Sequence, residues 1–311
     1  VATNRFDVAR WKPDLVALVE LEVWPNFLRE AGRMGIPVVV VNGRITQRSA
    51  RRYAKFSWIF RPAFEAITAA GARDEEAAER LRSLGVRNVV VTGNLKFDIP
   101  VAFDPAVVEK EWRERLGWGD ALVLFGGSTH DPEESMILDL YGSLKSTFPG
   151  LKLVLAPRHV ERVPEVHKLI EGRGLRCYKR SEVTGPADGV LLMDTVGELA
   201  SLYSLATVVV IGGTFTTRGG QNMLEPAALG KPVLSGPSVS NFEEIARQLV
   251  HAGGMRMVKE PGELALQAGE WLRDRSAARV AGELGRNFAL QSRGALDKSV
   301  ALIEKHIFGG G

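Results

Sequence analysis

Short apolar segments alternate with longer mixed segments along the chain. Residues 15–19 and 36–41 are almost entirely apolar, and each segment lies beside a charged residue or a Gly. Runs of this kind are typical of strands buried on both faces of a parallel sheet. Between and after them, residues 24–32, 46–67 and 75–84 have the composition and spacing of helices. The alternation predicts parallel βαβ units.

The pattern begins again in the second part of the chain. A third strand of the first part is predicted at 89–91, and a linker at 96–120, where Pro and Gly recur. In the second part we predict strands at 122–125, 151–155, 189–193, 207–211 and 231–234. The predicted fold class is α/β, with two Rossmann-like parallel-sheet domains facing a cleft and the first one truncated. The predicted boundaries are 1–98 and 99–290, with a last helix at 291–311 that crosses back to the first domain.

Composition narrows the function classes. The chain has 311 residues, of which 45% are hydrophobic, with 40 basic and 37 acidic side chains for a net charge of +3. These values exclude a disordered chain, and the balanced charge disfavours a dedicated nucleic-acid binder. No apolar run reaches the ~18 residues of a membrane span. The single cysteine, Cys177, excludes an internal disulfide and a multi-cysteine metal site.

Candidate binding residues follow the predicted strands of the second domain, where open α/β sheets bind ligands. The stretch from Gly126 to Glu134 contains two glycines and opens a helix, so it predicts an anion site; alternatively, Asp131 and Glu134 form only a helix cap. Arg158 and His159 follow the next strand and suit a phosphate or carboxylate. Glu198 follows another strand, and with Thr195 it fits either a site or a capping box.

The stretch from 212 to 226 is the most informative. A strand ends in Gly212 and Gly213, a polar loop ends in Gly219 and Gly220, and a helix then carries Glu225. This arrangement predicts a loop that cradles an anion, with a carboxylate for ribose hydroxyls. It lacks the G-x-G-x-x-G pattern, which disfavours a dinucleotide site.

The first domain offers carboxylates and a basic stripe. Glu20 and Glu22 follow the first strand and would point the same way on an extended chain, which suits hydroxyl binding; alternatively, they are solvated acids. The basic stripe predicts contact with an anionic surface or is simply a solvated helix face. It consists of Arg44, Arg48, Arg51, Arg52 and Lys55.

An ordered set of these loops resembles the Kdo transferases of bacterial lipopolysaccharide synthesis, where Kdo is 3-deoxy-D-manno-octulosonic acid. The set covers about residues 14 to 245. Leu21, Val23 and Gln221 depart from the usual residues. The matching stretches are Glu20–Asn26, Asn42-Gly43-Arg44, Thr92–Asp98, Gly127–His130 with Glu133-Glu134, Pro157-Arg158-His159, Asp194-Thr195 with Gly197-Glu198, Gly212-Gly213, Gly219-Gly220 with Asn222, Leu224-Glu225-Pro226, and Gly236-Pro237 with Asn241.

The resemblance implies an inverting GT-B glycosyltransferase that moves Kdo from CMP-Kdo to a lipid A precursor, lipid IVA. It also implies a place at the cytoplasmic face of the bacterial inner membrane, with no nucleic acid as partner. No metal or other cofactor is expected. On the acceptor side it implies Glu20, Glu22, Arg44, Arg48 and Lys96. On the donor side it implies Ser128, Thr129, His130, Arg158, His159, Gly197, Glu198, Gly212, Gly213, Gly219, Gly220, Asn222, Glu225 and Asn241.

The resemblance also implies a catalytic base that this sequence does not display. In the family the base is a Glu in a Ser-Val-Gly-Glu motif near the amino terminus, so we expect it upstream of Val1 and assign no catalytic residue here. Two alternatives stay open. The chain could be another GT-B enzyme that uses a UDP-sugar, a transferase or an epimerase, or a non-catalytic module that binds nucleotide or lipid.

Overall fold

The computed structural model describes residues 10–98 and 101–307. Contacts divide the chain into two compact units. The first unit comprises Val1–Asp98 and Ser292–Gly311, and the second comprises Ile99–Gln291. Each unit is an α/β layer structure with its own parallel sheet. No helix among the described residues is long and apolar enough to cross a membrane.

The first unit is built on a four-stranded parallel sheet in the order β1-β2-β3-β4. Within β2, Val38 and Val40 face the larger core, while Val39 and Val41 pack with Leu302 on the opposite face. This strand is therefore buried on both sides, as its run of Val predicts. The elements are β1 Val16–Val19, α1 Pro25–Arg33, β2 Val38–Gly43, α2 Gln47–Lys55, α3 Ser57–Glu65, β3 Ala69–Ala72, α4 Glu75–Leu84, β4 Val89–Val91 and α13 Ala295–Ile307.

The single helix predicted at 46–67 is wrong. The segment forms two helices, and the break falls at Phe56, whose backbone is not helical (φ −109°, ψ 41°). No residue of α2 is buried, whereas α3 buries Ala63 and Phe64. The break lets the apolar side of α3 face the core while α2 stays on the surface.

One carboxylate fastens the last helix to the first unit. Asp98 accepts hydrogen bonds from the backbone N–H groups of Gly294 and Leu296, both at 2.6 Å. Helix α13 begins at Ala295, so this bond satisfies amides at its first turn, which have no partner within the helix. The Thr92–Asp98 motif therefore has a structural task as well as any functional one.

The second unit is built on a seven-stranded parallel sheet in the order β11-β10-β9-β5-β6-β8-β7. Helices flank the sheet, and its main core joins one face of β5, β6, β8, β9 and β10 to the helices packed on that face. The elements are α5 Pro105–Leu116, β5 Val123–Thr129, α6 Glu133–Thr147, β6 Lys152–Pro157, α7 Val163–Glu171, β7 Cys177–Lys179, β8 Val190–Leu192, α8 Leu199–Leu202, β9 Val208–Ile211, α9 Leu224–Ala228, β10 Val233–Ser235, α10 Glu243–Ala252, β11 Met255–Met257, α11 Pro261–Arg273 and α12 Arg275–Gln291.

About half of the predicted linker at 96–120 is an α-helix, so the linker prediction is wrong there. Pro105 begins α5, the Asp104 side chain caps it, and Gly117 ends it with a left-handed backbone (φ 64°). Pro at the start and Gly at the end are the ordinary signals of one helix. The same residues had suggested a linker because Pro and Gly also mark loops.

Candidate donor site of the second unit

The chain reverses direction across the sheet between β5 and β9. From β5 it runs outward through β6 toward β7 and β8, then returns to β9 on the other side of β5. Open α/β sheets bind ligands at the carboxyl ends of the strands at such a reversal. The end of β5 and the loop that begins at Gly212 meet there, because the Gly212 N–H donates to the Gly127 carbonyl at 2.8 Å.

These two segments approach so closely that only glycine fits at position 212. A Cβ atom at Gly212 would lie 2.3 Å from the carbonyl oxygen of Ser128 and 2.5 Å from the Cα of Thr129. Both neighbours are backbone, so a side chain would push the strand ends apart. Gly212 therefore holds the two loops in contact.

A buried carboxylate ties the two loops together. Glu133, at the start of α6, is 1% exposed. Its Oε1 accepts from the N–H groups of Thr214 and Phe215 at 2.9 Å. Its Oε2 accepts from Gly213 N–H at 2.7 Å and His130 N–H at 3.0 Å. One side chain thus organises both loops, and a buried charge is tolerated because these bonds replace water.

This bonding changes two sequence interpretations. Helix α6 begins at Glu133, Pro132 is at its N-cap position and no side chain caps it, so the predicted cap by Asp131 is wrong. The His130 amide donates to Glu133. The amides of Gly213, Gly219 and Gly220 are also already bonded within the protein. The glycine loop is therefore braced internally, and charge for an anion has to come from side chains.

Two guanidinium groups supply that charge. Arg158 follows β6 and Arg218 lies in the loop after β9, and both are exposed. Within the part of the chain that the structure describes, neither side chain has a hydrogen bond or ion pair. A third arginine, Arg162, instead forms an ion pair with the buried Glu134, with Nη1 and Oε1 2.6 Å apart. Arg158 and Arg218 thus remain available for a ligand.

His130 is a neutral hydrogen-bonding group between these cations. Burial, and then the nearby Arg218, His159 and Arg158, lower the pKa of His130 to about 4. The amide nitrogen of Gln221 lies 3.1 Å from its Nε2. Because the amide nitrogen of Gln221 can only donate a hydrogen bond, Nε2 of His130 accepts it, and the ring proton is on Nδ1. His130 can therefore donate one hydrogen bond to a ligand at neutral pH.

Glu225 lies at the start of α9 and is partly buried. Burial raises the pKa of its carboxyl, while Asn222, whose Nδ2 donates to Oε1 at 3.0 Å, and the nearby Arg158 oppose that rise. Asn222 also accepts from the Leu224 N–H at 3.1 Å. The Glu225 carboxyl, oriented by Asn222, can accept hydrogen bonds from ligand hydroxyl groups that lie near the Arg158 cation.

Several predicted donor residues have partners within the protein. Thr129 is buried and donates to Glu134. Glu198 accepts from Arg180 and from the Thr195 hydroxyl, and the exposed Gly197 precedes it. The predicted capping box is wrong, because the helix begins at Leu199 and no side chain caps it. Asn241 donates to the carbonyls of Arg218 and Gly220 and so braces their loop. Ser128 lies near the end of β5. The other predicted donor residues lie on the loops after β5, β6 and β9 or at the start of α9: His130, Arg158, His159, Gly212, Gly213, Gly219, Gly220, Asn222 and Glu225.

In the first unit, the extended-chain premise for the two glutamates is wrong. Strand β1 ends at Val19, and Glu20 has a left-handed backbone (φ 61°). Glu22 instead accepts from the Trp24 indole N–H at 3.1 Å. Arg44 precedes α2, Arg48 lies on it, and Lys96 lies in the short 3₁₀ turn Leu95–Phe97; all are exposed.

The structure also offers no obvious ligands for a metal ion. Across residues 10–98 and 101–307, no three His, Cys, Asp or Glu side chains cluster in a way that could hold one.

Tyr203 is a residue that the sequence analysis missed. It lies against Gly127 of β5, and a lone Tyr in an apolar segment looks like core packing.

The fold, two α/β units each with its own parallel sheet, is of the GT-B class. A glycosyltransferase from Rickettsia africae matches with a TM-score of 0.61 at 13% identity, covering 99% of this chain and 80% of that one. The C-terminal CMP-Kdo binding domain of WaaA from Acinetobacter baumannii matches with a TM-score of 0.52 at 25% identity, covering 61% of this chain and 98% of that one. The first match shows the fold alone.

Sequence comparison gives the family. Residues 1–99 match the family model of 3-deoxy-D-manno-octulosonic-acid transferase (kdotransferase). The 3-deoxy-D-manno-octulosonic acid transferase of Haemophilus influenzae is 31% identical, over 95% of this chain and 70% of its own length. That of Bordetella pertussis is 35% identical, over 81% of this chain and 59% of its own length. The chain belongs to the Kdo transferase family, as the ordered loops predicted.

The Glu133 bonds predict a large effect of a very small change. Glu133→Gln keeps the shape but turns an N–H group toward backbone donors, so we expect the free energy of unfolding to fall by about 2–3 kcal/mol. Urea unfolding followed by circular dichroism measures it. The control is Glu283→Gln, an exposed partner of Arg279, which should change stability by less than about 0.5 kcal/mol. Equal effects of the two substitutions would contradict the role of Glu133.

Proposed function

We propose that this chain carries the donor site of a transferase that moves Kdo from CMP-Kdo to a lipid A precursor, lipid IVA. Family membership supports the reaction class. One observation carries the donor assignment. Arg158, which has no partner within the described residues, lies near Glu225 where the chain reverses direction between β5 and β9. CMP presents a phosphate and a ribose, which suit a guanidinium and a carboxyl group respectively.

The proposed roles follow from the charges. Arg158 binds the phosphate, and Arg218 adds positive potential from the opposite loop. Glu225 accepts from the ribose hydroxyls. Ser128 and His130 lie at the donor's reactive end, where the Nδ1–H of His130 donates without carrying charge. The WaaA domain of Acinetobacter baumannii, whose name gives it as CMP-Kdo binding, matches 61% of this chain and supports this assignment.

The proposed step breaks the bond between the anomeric carbon and the phosphate oxygen. That bond's electron pair leaves with CMP, and an acceptor hydroxyl oxygen bonds to the anomeric carbon from the opposite side. The hydroxyl proton passes to a general base. Negative charge grows on the departing phosphate, where Arg158 and Arg218 stabilise it more in the transition state than in the ground state. The step as proposed uses these cations and no metal ion.

Nucleotide binding tests the donor assignment. We expect calorimetry to show that the chain binds CMP more tightly than UDP. Arg158→Gln should weaken CMP binding by about tenfold or more, because a charge-assisted hydrogen bond is lost. The control is Arg279→Gln, which changes an exposed helix position paired with Glu283 and should leave CMP binding unchanged.

Tight UDP binding without CMP binding would overturn the proposal. It would favour the alternative of a UDP-sugar transferase or epimerase. If Arg158→Gln and Arg279→Gln both bound CMP as the unchanged chain does, the phosphate role of Arg158 would be wrong.

We also propose that α2 and the start of α3 meet the inner-membrane surface on its cytoplasmic face. Arg48, Arg51, Arg52 and Lys55 are exposed on α2. The side chain of Trp58, just beyond them, is 78% exposed. Cations next to an exposed Trp suit a surface of anionic lipid head groups, where the indole enters the interface.

Vesicle binding tests this surface. Each Lys or Arg near an anionic membrane contributes about 1 kcal/mol. The double variant Arg51→Glu/Arg52→Glu should therefore bind vesicles containing phosphatidylglycerol at least about tenfold more weakly in a sedimentation assay. The matched control is Arg275→Glu/Arg279→Glu on α12. Equal losses for both pairs, or equal binding to neutral vesicles, would contradict the proposed surface.

A further inference from the structure

The loop after β6 packs against the end of β5 beside the candidate site. The backbone N–H of Arg158, the first residue after β6, donates to the Thr129 carbonyl at 2.9 Å. The rings of His130 and His159 lie edge to face, with their centroids 5.5 Å apart. The first two residues of this loop are therefore in direct contact with the end of β5 and the residue that follows it.

A second buried carboxylate, Glu134, holds the other end of that loop. It lies in the first turn of α6 and is fully buried. Its Oε1 accepts from the Thr129 hydroxyl at 3.1 Å and from Nη1 of Arg162 at 2.6 Å. Arg162 ends the 3₁₀ turn Val160–Arg162, which follows the loop. One oxygen atom thus joins this turn to the end of β5.

The link depends on that single oxygen. The other carboxylate oxygen of Glu134, Oε2, has no hydrogen bond within the part of the chain that the structure describes. On its outer side Arg162 also donates to Glu165 at 3.3 Å, and Asp131 lies 3.9 Å from it. Loss of Glu134 would therefore leave Arg162 paired at the surface and release the turn from β5.

We propose that Glu134 is a positioning residue of the donor site. By holding Arg162 to the end of β5, it fixes both ends of residues 158–162, so the Arg158 guanidinium keeps its place beside the donor phosphate. A cation whose backbone is already ordered binds an anion more tightly, because less freedom is lost on binding. This inference rests on the proposed function, which takes Arg158 as the phosphate ligand.

CMP and cytidine together test the inference, because they differ only in the phosphate. Glu134→Leu removes both hydrogen bonds at a fully buried position. We expect it to weaken CMP binding by about tenfold and cytidine binding by less than about twofold, measured by titration followed by NMR. Glu134→Gln can keep an oxygen at the Oε1 place, with its amide nitrogen at the unpartnered Oε2 place, so its CMP affinity should stay within about threefold of the unchanged chain.

The matched control is Asp139→Leu. Asp139 also lies on α6, and it pairs at 2.9 Å with Arg173, beyond the end of α7 that is farther along the chain from Arg158. This variant should bind both ligands as the unchanged chain does. If Glu134→Leu does not fold, Glu134→Leu/Arg162→Leu provides the same test, because removal of both partners leaves no buried charge unpaired. It should show the same selective loss of CMP binding.

A double-substitution cycle shows whether Glu134 acts through Arg158. If it does, Glu134→Leu adds little to the loss of CMP binding in the Arg158→Gln background. Losses that multiply would overturn the inference.

Three further results would also overturn it. They are equal losses of CMP and cytidine binding in Glu134→Leu, a loss for Glu134→Gln as large as for Glu134→Leu, and CMP binding by Glu134→Leu within about twofold of the unchanged chain. Failure of the proposed function looks different. The unchanged chain would then not bind CMP, or Arg158→Gln would bind CMP as the unchanged chain does, and this inference would fall with it.

Discussion

The candidate site depends on one buried carboxylate. Glu133 accepts hydrogen bonds from four backbone amides, one on the loop after β5 and three on the loop after β9. These loops leave the sheet at the point where the chain reverses direction, so they share no covalent neighbour that could hold them together. The close contact at Gly212 brings them into reach, and Glu133 fixes their relative position. Because the amides would otherwise be buried without partners, the bond set is required for the loops to fold as they do.

That arrangement determines where the charge of the site comes from. With its amides occupied, the glycine loop acts as a rigid frame and not as an anion cradle. Positive potential comes from Arg158 and Arg218, and Arg162 is neutralised by Glu134. The same potential, together with burial, keeps His130 neutral. The proposed donor carries its negative charge on a phosphate and an acidic sugar, and a site of this sign attracts both.

Much of the fold and part of the site could be predicted from the sequence. The Val-rich strands were clear because parallel strands buried on both faces need apolar runs. Ala69–Ala72 was missed as a strand because Ala and Gly carry no strand preference, and the break at Phe56 was missed because it depends on packing. Arg158 and Glu225 remain predictions of a donor site, and the sequence signal for them is that they directly follow a strand or open a helix. The task of Glu133 was not visible in the sequence, because its bonding partner lies about 80 residues away in the chain. The place of Tyr203 was not visible because it depends on a close contact with Gly127.

A crystal structure of the chain with CMP tests the central claim most directly. We expect the CMP phosphate within hydrogen-bonding distance of the Arg158 guanidinium and the ribose hydroxyls against Glu225, with the four Glu133 bonds intact. A phosphate bound to the amides of Gly213 and Thr214 in place of Glu133, or CMP bound away from the ends of β5 and β9, would contradict the account.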